Sequence, residues 1–120
     1  MPAKKTTPEA RMAYDGLRVL CVDTIADYPR MTRTTIAARI HRSQPNVGEA
    51  LGTHHAKWSR PVLALIADTL TREPDIALSV RAKIRGELGR CLPIFIQDAP
   101  SETRQVLTRI QQSLDGHGSR

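Results

Sequence analysis

The sequence predicts an all-α domain of five or six helices, with little or no sheet. Three observations lead there. Apolar residues recur at spacings of three and four along most of the 120 residues, as the buried stripe of a helix requires. Serine or threonine stands beside proline at several points where such a stripe begins, a combination that caps and starts helices. The one strand-like run, Leu92-Pro93-Ile94-Phe95-Ile96, contains a proline that demotes it to an extended or edge segment. A chain of this length suits one domain with one core.

The elements follow in order. Residues 1–7 are polar and read as a flexible basic arm. Thr7-Pro8-Glu9 starts a helix over 8–27, with Met12, Ala13, Leu17, Leu20, Cys21 and Ile25 as its buried stripe and Tyr28-Pro29 as its stop. Thr32 caps a short helix over 33–40, whose inner face is Ile36, Ala37 and Ile40. Ser43 caps a third helix over 44–52, with Pro45 in its first turn and Val47, Ala50 and Leu51 inside; Gly52 can end it. THHAKW, residues 53–58, reads as a basic loop. Ser59 caps a fourth helix over 60–71, apolar over so wide an arc that it should be the central helix of the core. A fifth starts at Glu73-Pro74-Asp75 and stops at Gly89, with Ile76, Val80, Ile84 and Leu88 on one face. Pro100-Ser101-Glu102 begins the last, to about 114, with Thr103, Val106, Leu107, Ile110 and Leu114 as its apolar positions. Residues 8–72 are read as the core unit, 73–115 as a C-terminal helical extension suited to dimerisation, and 116–120 as a frayed tail.

The net charge is +6, and the basic residues are concentrated. Between Arg30 and Arg60 six cations, Arg30, Arg33, Arg39, Arg42, Lys57 and Arg60, meet one acid, Glu49. That window holds nearly the whole excess and points to a polyanionic partner. Aromatics make up only 3% of the chain, which disfavours a sugar site or an RNA platform that stacks bases on rings. Cys21 and Cys91 lie far apart among apolar neighbours and read as buried free thiols, as in a cytoplasmic protein. No apolar run approaches a membrane span, and the N-terminus lacks the apolar stretch of a secretion signal. His41, His54 and His55 offer no ligand spacing for a metal, and no nucleophile stands with a matched base. Neither an enzyme, nor a cofactor, nor a small-molecule ligand is expected.

Residues 33–52 read RTTIAARIHRSQPNVGEALG. Ile36-Ala37, then Ile40, the three residues His41-Arg42-Ser43, Val47, and Ala50-Leu51 follow a known order and spacing. The segment resembles the helix-turn-helix of bacterial and phage DNA-binding transcriptional regulators. The run that follows it is similar to the lambda-repressor-like arrangement of small phage and plasmid regulators. Such motifs place a small residue where the two helices cross, here Ala37, and clamp the pair from the core side, here with Ile40 and Val47. One position departs from the pattern. The first residue of the turn is usually glycine, because the backbone there has positive φ, and this chain has His41.

The resemblance implies a bacterial or phage-encoded cytoplasmic protein that reads the major groove of double-stranded DNA with the helix at 44–52. Gln44 would bond adenine bidentately, and Asn46 and Glu49 would lie on the outward face. Glu49 could accept from a cytosine amino group or repel phosphate. Gly48 would let the backbone approach the bases, or it is a neutral surface residue. Arg33, Thr34, Arg42, Ser43, Thr53, Lys57 and Arg60 would hold phosphate or reach base edges. Each of these cations alone reads equally well as solvated charge; their clustering around the motif is the stronger signal. One such helix reads few base pairs, so a homodimer is expected, most simply a repressor. Ile94, Phe95, Leu107, Ile110 and Leu114 are the candidate pairing surface, unless they complete the monomer core. The alternative is a protein-binding module, an antitoxin or adaptor using the same helices, which would bind through apolar surface and tolerate salt.

Overall fold

Tyr14, not Met12, marks the buried side of the first helix. In the computed structural model, which describes residues 8–52, 59–97, 99 and 101–118, α1 spans Pro8–Asp27 and buries Ala10, Tyr14, Leu17, Cys21 and Thr24. That stripe alternates steps of four and three, and it leaves Met12 75% exposed. The expected stripe was therefore rotated by part of a turn. The physical reason is Tyr14: its ring tilts against Phe95 in the core, and its hydroxyl donates to the Ala50 carbonyl at 2.6 Å, so its one polar atom is satisfied in the interior. Burial pushes the phenol above its usual pKa.

The remaining helices are α2 (Arg33–Ile40), α3 (Gln44–Leu51), α4 (Ser59–Thr71), α5 (Leu78–Gln97) and α6 (Ser101–Gly118). No strand occurs among the described residues, so the domain is all-α. α4 packs on every other helix and buries Val62, Leu63, Ala64, Ile66, Ala67 and Leu70, the central position its wide apolar arc predicts. A single core cluster runs from Tyr14 to Ile110 and draws on all six helices.

The fifth helix differs from expectation at both ends. Residues 73–77 form a turn that buries Ile76, and the helix begins at Leu78. It then passes through Gly89 and Pro93 instead of stopping, so the strand-like run is helical. Leu88, Cys91, Leu92 and Phe95 explain this: they continue the stripe begun at Ile84 and are all buried. Pro93 lies on the exposed side, where the carbonyl it leaves unpaired can turn to water.

Phe95, Leu107 and Ile110 are buried in the chain's own core, and Ile94 and Leu114 are half-buried. This corrects the expected pairing surface: the stripe on α6 is consumed by packing on α4 and α5. Val106 is exposed instead of apolar and inside. The thiols of Cys21 and Cys91 are free and buried; burial raises both, Cys91 to about 12. No helix among the described residues is long and apolar enough to cross a membrane.

One ion pair ties α2 to the body. Arg39, half exposed, donates to the carboxylate of Glu73, which is buried just after α4. Arg39 holds Glu73 below the usual carboxylate pKa. A lowered native pKa contributes stability that is present above the unfolded value and lost as pH falls through the native one. Glu73→Gln should therefore lower stability by about 1 kcal/mol at pH 7. The gap from the unsubstituted chain should close as pH drops below about 4. Urea denaturation of both chains at pH 7 and pH 3 checks the sign.

Candidate nucleic-acid interface

The surface where α2 meets α3 is built from a turn that a left-handed residue closes. At the end of α2, His41 has φ 58° and ψ 43°. It is the one non-glycine residue with positive φ among those described. The His41 N–H donates to Ala38 O at 3.4 Å and the Arg42 N–H to Ala37 O at 3.0 Å. These two bonds form a Schellman motif, which meets two carbonyls at the helix end and turns the chain sharply. Histidine tolerates this region better than most residues, so the departure from glycine leaves the turn intact.

The chain restarts at once. Ser43 is extended, and its hydroxyl accepts from the Asn46 N–H at 3.3 Å, the N-cap its sequence position predicts. Thr32 does the same for α2, accepting from the Thr35 N–H at 3.1 Å. α3 ends at Gly52, whose backbone is extended, not left-handed, so its φ does not demand glycine.

Val47 and Ala50 are fully buried and Leu51 nearly so. With that side fixed, the opposite side faces water. Arg42, Ser43, Gln44 and Glu49 are exposed, while Asn46 and Gly48 are half-buried. Arg33 and Thr34, at the start of α2, are exposed as well. Arg33 crosses onto α3: a Cβ added at Gly48 would stand 3.3 Å from its Nη1. Gly48 thus gives the guanidinium room beside the outward face of α3. This second role for the glycine carries no signal in the sequence, because it depends on how the two helices meet.

The structure removes Arg60 from the expected set. Arg60 is only 2% exposed and cannot reach a phosphate. It shares the buried arc of α4 with Leu63, Ala64 and Ala67, one and two turns on. Thr53 and Lys57 lie outside the described residues. Of the other cations in the basic window, Arg39 is engaged by Glu73, whereas Arg30, Arg33 and Arg42 are exposed and form no ion pair among the described residues. Compared with protein-family models, curated proteins and solved structures, the chain matches none. What this surface can do is therefore judged from its chemistry alone.

Two features missed in the sequence support the site from behind. The Tyr14 hydroxyl fixes the last turn of α3 through Ala50, and Glu73 fixes α2 through Arg39. Tyr14 was legible in principle, since residues 10, 14, 17, 21 and 24 make a cleaner stripe than the one containing Met12.

The left-handed turn gives a direct check. His41→Gly should raise stability by a few tenths to about 1 kcal/mol, the relief of the Cβ penalty less the added freedom of the unfolded chain. His41→Val should lower it by about 1 kcal/mol or more. Chemical denaturation midpoints measure both.

Proposed function

We propose that the chain is a sequence-specific reader of double-stranded DNA, acting as a dimeric transcriptional repressor. One observation carries this reading. α3 is held by Val47, Ala50 and Leu51, while its amino end and polar edge stay in water beside Arg33 and Arg42, two arginines with no ion pair among the described residues. A helix N-terminus presents free N–H groups and a positive dipole end, which favour nearby phosphate. Gln44, at that end, has the paired donor and acceptor that match the major-groove edge of adenine. Arg42 sits in the turn, where a phosphate contact would fix the register without reading sequence. Ser43, whose hydroxyl is spent on capping, supports the helix more than the base contact.

α3 has eight residues, which at 1.5 Å per residue gives about 12 Å. That length covers only a few base pairs. Two copies related by a two-fold axis would read half-sites about 34 Å apart. Repression asks nothing further of the protein than occupancy of a promoter, and no catalytic group is assigned.

Selection from random duplex DNA at two salt concentrations tests the proposal. The recovered site should be two-fold symmetric and bound less tightly as salt rises. Gln44→Ala should remove about 1–3 kcal/mol of discrimination at one or two base positions while leaving nonspecific affinity in place. Arg42→Ala should weaken binding to all sequences and reduce the salt slope by about 1. Salt-insensitive capture of a protein partner, with no duplex enriched, would favour the adaptor reading.

A further inference from the structure

Away from α3, three arginines surround a small cavity. Arg72 follows α4, and Arg81 and Arg85 lie one turn apart near the start of α5. With Asp68, Thr71 and Leu114 they line a space of about 240 Å³. Among the described residues, three guanidiniums and one carboxylate line it, an excess of two positive charges.

The local hydrogen bonds leave much of this donor capacity unused. Arg72 Nε lies 3.2 Å from both Asp68 oxygens, and its Nη2 donates to Ser113 Oγ at 2.5 Å. Arg81 Nε donates to the Ile76 carbonyl at 2.8 Å. Each guanidinium has five N–H donors, so both keep several without an acceptor among the described residues. Arg85 is the outlier: its Nε is buried and has no acceptor among the described residues. Neither Arg81 nor Arg85 forms an ion pair among those residues. Glu73, which senses the Arg81 charge, is held first by Arg39. A buried charged donor without an acceptor is unfavourable, and an anion held in the cavity by the accessible donors of the three guanidiniums offsets its charge.

We propose that this cavity binds a phosphate group, carried by free phosphate or by a small phosphomonoester. A phosphate near neutral pH carries one to two negative charges and several acceptor oxygens, which matches the charge excess. Guanidinium forks fit its oxygens in pairs. The volume is below that of usual drug-sized sites, about 300–1,000 Å³, so it admits a phosphate and a few further atoms. Its occupant would link the end of α4, the first turns of α5 and the end of α6. The site lies outside the α2–α3 surface and stands independently of the DNA reading.

Thermal unfolding of the full chain tests this, since a ligand of the native state raises the midpoint by mass action. Sodium phosphate, glycerol phosphate and sodium chloride are compared at equal ionic strength. A saturable rise above the chloride curve is expected with phosphate, and Arg85→Gln should abolish it. A rise at lower concentration with glycerol phosphate assigns the monoester; a rise with inorganic phosphate alone assigns the free ion. Coincident phosphate, ester and chloride curves, or an undiminished phosphate effect in Arg85→Gln, would overturn the proposal. Should Arg85→Gln fail to fold, the exposed Arg72→Gln replaces it. The Nε–H resonances of Arg81 and Arg85 in the unsubstituted chain should then shift saturably with phosphate, and unmoved resonances would overturn the proposal equally.

Discussion

An eight-residue helix is not stable alone in water, because nucleation consumes more order than two turns return. α3 exists because its inner side is welded to the domain. Val47 and Ala50 are wholly buried, Leu51 nearly so, and the Tyr14 phenol holds the Ala50 carbonyl from α1. Everything exposed on α3 inherits its orientation from that attachment. Because the buried side is fixed by packing and by one interior hydrogen bond, the polar edge is presented without having to be ordered again on binding. The Schellman turn at His41 and the caps at Thr32 and Ser43 then set where α3 begins relative to α2.

The basic residues divide by the same logic. Sequence proximity suggests one continuous patch, but the fold spends two of its members on structure. Arg60 goes into the core, and Arg39 neutralises Glu73. Among the described residues Arg30, Arg33 and Arg42 remain exposed, Arg33 laid beside Gly48 and Arg42 in the turn. On the proposed reading, attraction to a polyanion is weaker than the composition implies and, among the described residues, includes Arg33 and Arg42 near the amino end of α3. A second basic cluster, around Arg85, lies where three helices meet, and its chemistry is that of a small pocket instead of an open face.

The sequence carried the helical class, the limits of α1, α2 and α3, both caps and the central place of α4. Each rests on local chemistry: threonine and serine hydroxyls over free N–H groups, and apolar spacing at three and four. The left-handed residue at His41 was legible from its position in the turn. The misreadings came where tertiary packing outweighs local signals. Gly89 and Pro93 look like breakers, yet the stripe from Ile84 to Phe95 is buried strongly enough to carry the helix through them. Arg60 looks like surface charge until the register of α4 turns it inward. The α6 stripe could serve a second chain or its own, and only the fold shows that Leu107 and Ile110 are already covered. The Arg33–Gly48 proximity and the Arg72, Arg81 and Arg85 cluster join residues distant in sequence, which no local pattern encodes.

The most direct test of the central claim is the amide spectrum of a ¹⁵N-labelled chain titrated with duplex DNA at low salt. The largest shifts should fall at residues 33, 34, 41–44 and 46–49, with the amides of the buried α5 stripe barely moved. Shifts concentrated on α5 or α6, with Arg42, Ser43 and Gln44 unchanged, would contradict the assignment of α3 as the element that meets DNA.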